Sequence, residues 1–268
     1  MASATGIPQT NPHDPSYGED EPLLGRAGDA SQQDGLPLYY NLGIGTAPIA
    51  QVGAVLLAGQ IWASIFLSPL MLFSAHPLLN SAGLLVLLQS ALILQPTHTA
   101  TQKRNGTLVH ASLNSVAASI FIAGLVVIEV NKFAHNGTHF ESGHAIRKPP
   151  SNPSPSIPSH PILSYLTISF TVGLITYILL LIQSLIGFTQ YFTPSLYGSV
   201  ANAKSIYKYH RALGYVIAVL MLATICAATW TTFNVKVLKI KSWAVIVSSV
   251  LILLGVVPRI KKQKFGLK

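Results

Sequence analysis

The chain has 268 residues, of which 50% are hydrophobic and only 9% are charged, and its mean hydropathy is +0.49. Soluble domains carry about a quarter charged residues, so this composition excludes an ordinary soluble domain and indicates a membrane protein. The formal net charge of +9 does not indicate a nucleic-acid partner, because the basic residues are scattered through short loops and a C-terminal tail. The single cysteine, Cys226, excludes an intrachain disulfide and a thiolate metal site, which leaves histidine as the metal-ligating residue type.

Residues 1–45 precede the first apolar segment and are rich in Gly, Pro, Ser and Asp. Such a composition lacks the apolar surface needed to form a core, so we expect a disordered cytosolic tail. Within it, the stretch EDEPLL at 19–24 resembles the acidic dileucine signals that direct proteins to lysosomal or vacuolar membranes. A vacuolar, lysosomal or other endomembrane location is therefore expected, with a chance acidic patch as the alternative.

Six apolar runs follow, each close to the roughly 20 residues that cross a bilayer as a helix. They cover residues 48–73, 77–95, 108–130, 161–188, 212–233 and 242–258. Because lipid offers no partner for unpaired backbone groups, these runs predict helices. The sequence thus predicts an all-α, multi-pass membrane protein whose six-helix domain spans residues 46–258 and is followed by a basic cytosolic tail at 259–268.

The basic residues predict the orientation. Placing the N-terminus in the cytosol leaves 11 of the 17 Lys and Arg residues on the cytosolic side. Both termini are then cytosolic, and the glycosylation acceptor at Asn136 lies on the opposite side, where that modification occurs.

Histidines stand at or just before the start of the second to fifth runs. They are His76, His110, His144 or His160, and His210. Successive helices run in opposite directions, so the starts of the second and fourth share one membrane face and those of the third and fifth share the other. Two histidines per face meet the needs of two six-coordinate b-type haems, since each iron takes an imidazole on either side of its ring. The pairs would be His76 with the fourth-helix histidine, and His110 with His210. Interfacial histidines that bind no metal are the alternative.

Four features near the predicted helix starts are distinctive: LFSAHP at 72–77, His110 after a basic loop, HFESGH at 139–144, and YHRALG at 209–214. In these features the chain resembles the cytochrome b561 family, closest to its six-helix branch. The resemblance implies a central bundle of helices 2–5 that holds two haem b groups through His76, His110, His144 and His210. It also implies electron transfer from a cytosolic donor, typically ascorbate, to a non-cytosolic acceptor such as ferric iron or monodehydroascorbate. Ala75 departs from the pattern, since many members have an aromatic residue there.

The fourth helix contains a larger departure. The family runs from its histidine directly into the span, whereas this chain has residues 147–171 between Ile146 and Val172-Gly173. Removing these 25 residues restores the family motif, so we interpret the segment as an insertion, a retained intron or a gene-model artefact. Motif identity favours His144 as the fourth ligand and proximity to the apolar run favours His160, and we take His144 first.

Basic residues flank the predicted cytosolic histidine pair and are candidates for binding an anionic donor. These are Lys103, Arg104, Lys208 and Arg211. They could instead serve only to orient the chain in the membrane.

The competing functions are a non-redox transporter or sorting protein, or a haem-deficient splice product. The spans show no buried carboxylate, which speaks against an ion-coupled carrier. Membrane lipid is an expected partner, and the chain could act as a homodimer.

Overall fold

The computed structural model describes residues 31–134 and 161–261, with side chains described from residue 171 onward in the second range. Within these ranges the chain forms helices and turns and no β-strand. Six of the described helices are long and apolar enough to cross a membrane. The predicted class is therefore confirmed: the chain is an all-α, multi-pass integral membrane protein.

The helices follow one another in antiparallel order. Their bounds are α1 Ala47–Phe66, α2 Ala75–Leu94, α3 Ala100–Ala134, α4 Pro161–Phe192, α5 Val200–Ser205, α6 Tyr207–Ala228 and α7 Ser242–Val256. The predicted fifth and sixth helices correspond to α6 and α7, because α5 is a single short turn capped by the Ser199 side chain. The end of the bundle at which α2 begins is called the His76 end below, and the end at which α6 begins is called the His210 end.

Helix α1 is shorter than the apolar run that predicted it. The run extends to residue 73, but the helix ends at Phe66. Pro69 follows three residues later, and a proline disfavours helical backbone in the residue before it. The chain instead makes a turn and a short 3-10 segment, Leu72–Ser74, that leads directly into α2.

Helix α3 is longer than predicted, because hydropathy marks the lipid-facing part of a helix and not its full length. It begins at Ala100, eight residues before the apolar run. The start is fixed by Thr99 and Gln102, whose side chains each accept a hydrogen bond from the other's backbone N–H, at 3.2 and 3.3 Å. This reciprocal pairing is a capping box. It places Lys103, Arg104 and His110 inside the helix, so the prediction that His110 opens the third helix was wrong.

The central bundle consists of α2, α3, α4 and α6. Helix α2 packs along α3, α4 packs along α6, and α3 contacts α4. Helices α1 and α7 form a closely packed pair beside this bundle, with α1 against α2 and α7 against α6. At Gly53 of α1, a β-carbon would lie only 2.7 Å from the backbone of α7, so the two helices meet where there is no side chain.

Candidate functional site

His76 is the second residue of α2 and is held by the neighbouring helix. Its Nδ1 lies 2.9 Å from the carbonyl oxygen of Gly124 on α3. A carbonyl only accepts hydrogen bonds, so this geometry places the proton on Nδ1 and the lone pair on Nε2. Metal-binding histidines commonly have this arrangement, in which the second ring nitrogen donates to a carbonyl and fixes the ring.

Asn80, one turn after His76, adds a second layer of contacts. Its amide nitrogen donates to the His76 carbonyl oxygen at 2.8 Å and lies 3.3 Å from the imidazole Nδ1. Its amide oxygen accepts a 2.5 Å hydrogen bond from the hydroxyl of Tyr177 on α4. The His76 region is thereby connected to α4 through two polar side chains inside an apolar bundle.

A cavity of about 260 Å³ lies at the His76 end between α2, α3, α4 and α6. Its wall is mostly apolar and includes Phe121, Gly173, Leu180 and Met221 beside His76. A concave, largely apolar cavity with a few polar groups is the usual form of a cofactor site.

The same cavity contains a charged pair that the sequence did not reveal. Glu129 and Lys132 of α3 both line it, with Lys132 Nζ 2.7 Å from Glu129 Oε1. Glu129 lies within the third predicted span, where its side chain is half-buried, with 24% of its surface exposed. The carboxylate is paired with a lysine that is only 4% exposed, so it is not an isolated buried charge.

His110 lies deeper in the bundle and is held by α2. Its Nδ1 is 3.1 Å from the carbonyl oxygen and 2.8 Å from the hydroxyl oxygen of Ser90, a residue with no exposed surface. Asn114, one turn further along α3, donates to the same hydroxyl at 2.9 Å and to the His110 carbonyl at 2.8 Å. As with His76, these contacts fix the ring and direct Nε2 away from the helix that holds it.

The two sites share a pattern that the sequence analysis missed. In both, the histidine is followed four residues later by an asparagine that donates to the histidine carbonyl, as seen for His76 with Asn80 and for His110 with Asn114. Residues four apart on a helix are neighbours, so the spacing His-x-x-x-Asn was a usable signal. Ser90 had no comparable signal, because its role depends on the register between α2 and α3.

His210 is the fourth residue of α6 and packs against Gly187 of α4. A β-carbon at position 187 would lie 2.6 Å from the imidazole Cε1, so only glycine leaves room for this ring. Gln183 of α4 donates to the His210 carbonyl at 2.6 Å. His210 is close enough to His110 for the two rings to interact electrostatically. The structure thus brings together the two histidines that were predicted to pair.

The fourth predicted ligand lies outside the described residues, whether it is His144 or His160. Residues 171–192 of α4, whose side chains are described, contain no histidine. Gly173, which lines the cavity with His76, is 12 residues after the start of α4 at Pro161. At 1.5 Å per residue, the helix rises about 18 Å over that interval. The dileucine-like segment at 19–24 and the glycosylation acceptor Asn136 also lie outside the described ranges.

The predicted donor-binding residues divide into two groups. Lys103 and Arg211 interact electrostatically with each other, and Lys103 also interacts with Lys261, which follows α7. These three residues are called the basic cluster below. Arg104 is exposed on the first turns of α3, and Lys208 is exposed with its ammonium over the Tyr209 ring, 5.0 Å from the ring centroid. His98, between α2 and α3, lies near the cluster, and burial lowers its pKa.

The fold and these contacts define a class: a multi-helix membrane protein with histidines held in fixed orientation inside its bundle. Within that class, residues 75–147 match the family model described as eukaryotic cytochrome b561, in agreement with the resemblance that the motifs carry. The match covers α2, α3 and the following residues, and it ends where the predicted insertion begins. No curated protein matches the chain. The family implies b-type haem and transmembrane electron transfer.

The residues present fit a b-type haem. His110 has its Nδ1 bonded to Ser90, which leaves Nε2 for iron, and His210 Nδ1 is buried without a hydrogen-bond partner among the described residues. A ring with an unpartnered nitrogen in an apolar bundle is costly unless a ligand completes it. Gly187 supplies the space in which the His210 ring sits.

Proposed function

We propose that this protein transfers electrons across a membrane from a cytosolic, ascorbate-like donor to a non-cytosolic acceptor such as ferric iron or monodehydroascorbate. Two haem b groups would carry the electrons, one held by His110 and His210 and the other by His76 and His144. The observation that carries the proposal is the setting of His110 and His210 on two helices of the bundle: Ser90 holds the His110 ring through Nδ1, and the His210 ring packs on Gly187 with its Nδ1 buried and unpartnered among the described residues.

When bound, haem iron with two imidazole ligands supplies reversible one-electron chemistry with no open coordination position. The protein's own residues would hold and orient the ligands. Ser90 fixes the His110 ring through Nδ1, and Gly124 fixes the His76 ring in the same way. Asn114 donates to the Ser90 hydroxyl, and Asn80 donates to the His76 carbonyl. Fixed ligands reduce the rearrangement that accompanies a change of iron charge, because the surrounding dipoles are already oriented.

The donor would bind beside the His210 end, at the basic cluster. Ascorbate is an anion at neutral pH, and Lys103, Arg211 and Lys261 supply three positive charges that raise the local concentration of an anion. Among the sequence-predicted candidates, Lys103 and Arg211 are therefore favoured over Lys208, whose ammonium is directed over the Tyr209 ring.

At the His76 end, the apolar cavity and the Glu129–Lys132 pair would separate the second haem from water. Excluding water strengthens electrostatic interactions between the haem and the groups around it. The acceptor would approach from this side, opposite to the donor.

A haem count with difference spectra tests the proposal. The purified chain, reduced first with ascorbate and then with dithionite, is expected to show b-type bands and two haems per chain. His110→Ala and His210→Ala should each remove the same haem, and His76→Ala should remove the other. If the wild-type chain shows no b-type bands, it is a non-redox membrane protein. If it binds one haem, the assignment of His144 as the fourth ligand fails.

A further inference from the structure

Arg259 is a buried cation whose hydrogen-bonding capacity is only partly used. It follows α7 directly and its residue surface is 4% exposed. Its Nη2 donates to the carbonyl oxygens of Asn41 at 2.9 Å and Leu92 at 3.1 Å. Its Nε and Nη1 are buried and have no hydrogen-bond partner within residues 31–134 and 161–261.

Such an arrangement is unusual for an arginine. A buried charge is strongly destabilising without a counter-ion, and buried polar groups nearly always find a partner. The ion pair found in the described ranges joins Lys132 to Glu129 at the opposite end of the bundle, so it does not compensate Arg259. The two unpartnered guanidinium nitrogens therefore indicate a missing anion.

The position of Arg259 connects it to the His110–His210 pair. Leu92, which accepts from Arg259, is two residues after Ser90, which holds His110. Tyr215, which interacts electrostatically with Arg259, is five residues after His210 and accepts a 3.1 Å hydrogen bond from Gln95. Arg259 thus lies beside the last turn of α2, near the point where Gln95 bonds to Tyr215 of α6.

We propose that Arg259 binds a propionate carboxylate of the haem held by His110 and His210. The inference rests on the proposed function, because the haem that this function requires would carry the carboxylate. The unpartnered N–H groups of the guanidinium can donate charge-assisted hydrogen bonds to a carboxylate, and a buried site strengthens such bonds. The same chemistry could be supplied by an anionic soluble donor, and the experiment separates the two sources.

The test compares Arg259→Gln, Arg259→Lys and the control Lys204→Gln in a chain that also carries His76→Ala, so that one haem is observed. Lys204 is an exposed lysine of α5 at the same end of the bundle, so its removal changes the net charge equally. Haem potentials are measured by titration with dithionite in the absence of ascorbate. Loss of a cation beside the haem favours the oxidised form, which carries one more positive charge.

Arg259→Gln should lower the ratio of reduced to oxidised haem at a fixed potential about tenfold, which corresponds to about 59 mV for one electron. Arg259→Lys should retain most of the wild-type ratio, and Lys204→Gln should leave it unchanged. A purely structural clamp between Asn41 and Leu92 would not produce this difference between Gln and Lys. When the apoprotein is titrated with haem and with haem dimethyl ester, which lacks free carboxylates, Arg259→Gln should weaken the binding of haem and leave the binding of the diester unchanged.

Three results would overturn the proposal. If the potential is unchanged but the half-saturating ascorbate concentration rises, Arg259 binds the donor and not the haem. If both the haem potential and the half-saturating ascorbate concentration are unchanged, Arg259 binds neither the haem nor the donor. If Arg259→Gln does not fold, the affinities for haem and for its dimethyl ester are compared in the chain that retains Arg259. Equal affinities would refute the contact. Absence of b-type bands in the unsubstituted chain would instead refute the proposed function itself, and with it this contact.

Discussion

The hydroxyl of Tyr177 on α4 donates a 2.5 Å hydrogen bond to the amide oxygen of Asn80 on α2. This contact joins two helices that belong to different packed pairs of the bundle, across the cavity that His76 lines. Because Asn80 also donates to the His76 carbonyl, Tyr177 acts on the histidine through one intermediate side chain.

Tyr177→Phe should destabilise the bundle and loosen His76. The substitution leaves the amide oxygen of the half-buried Asn80 without its donor, which costs about 1–3 kcal/mol. Thermal unfolding in detergent, followed by circular dichroism, measures the loss. Tyr209→Phe is the matched control, because Tyr209 is 64% exposed on α6. Equal transition temperatures for the two variants would mean that the Tyr177 hydrogen bond does not support the site.

Ser90→Ala should weaken haem binding at the His110 site while leaving the fold intact. It removes the hydroxyl that contacts His110 Nδ1 and that Asn114 also contacts. Loss of a partner that orients a metal ligand commonly costs about 10- to 100-fold in affinity. Haem titration into the apoprotein measures the change.

Ser112→Ala is the control for Ser90→Ala, since Ser112 lies on α3, two residues after His110, and bonds only to a carbonyl of its own helix. Equal haem affinities for the two variants would show that the Ser90 hydroxyl is dispensable and that its carbonyl oxygen alone holds the ring.

Gly187→Ala should displace the His210 ring, because the new β-carbon would lie 2.6 Å from Cε1. We expect at least about a tenfold loss of haem affinity at this site, the loss typical of a disturbed metal ligand. Gly59→Ala is the matched control, since no atom lies within 4 Å of a β-carbon there and alanine favours helix. Retention of both haems in Gly187→Ala would argue against His210 as a ligand in this position.

Arg211→Gln should weaken donor reduction more than Lys208→Gln does. Arg211 belongs to the basic cluster, whereas the Lys208 ammonium is exposed over a tyrosine ring. One charge in such a cluster contributes roughly 1 kcal/mol, or about fivefold in the half-saturating ascorbate concentration, and salt should reduce the effect. Stopped-flow reduction at two ionic strengths measures both. Simultaneous loss of the haem spectrum would indicate a structural role for Arg211.

The sequence predicted the fold well because hydropathy and chain direction alone determine how many helices cross a membrane and which starts share a face. It predicted helix ends poorly. The start of α3 depends on the capping box of Thr99 and Gln102, which lies in a polar stretch that hydropathy ignores. The end of α1 depends on Pro69, which lies inside an apolar run.

The sequence also indicated the histidines but not what holds them. His76 and His110 stood out by position, and the asparagines four residues later could have been found by spacing. Ser90, Gly187 and Arg259 could not, because each acts across a helix–helix contact whose register the sequence does not encode locally. The contacts of these residues can be seen only when the helices are packed against one another.

Deleting residues 147–171 should preserve two-haem binding. The deletion places His144 four residues before Gly173, which lines the His76 cavity, so the histidine would lie about one helical turn above it. Deleting 147–169 instead is the control, because two extra residues turn the histidine by roughly 200° around the helix. Haem counts of the two variants provide the comparison, and sequencing of the transcript shows whether the segment is encoded. Equal haem counts in the two deletion variants would contradict the insertion hypothesis.

The close packing of α1 against α7 has a consequence for how the protein is made. Of the described helices, α1 leaves the ribosome first and α7 last, yet at Gly53 the backbones of the two helices meet with no side chain between them. During synthesis, the face of α1 that packs on α7 therefore stays exposed until α7 has been inserted. A nascent chain that stops before α7 leaves that face uncovered, so α1 reaches its packed state only after α7 has been made.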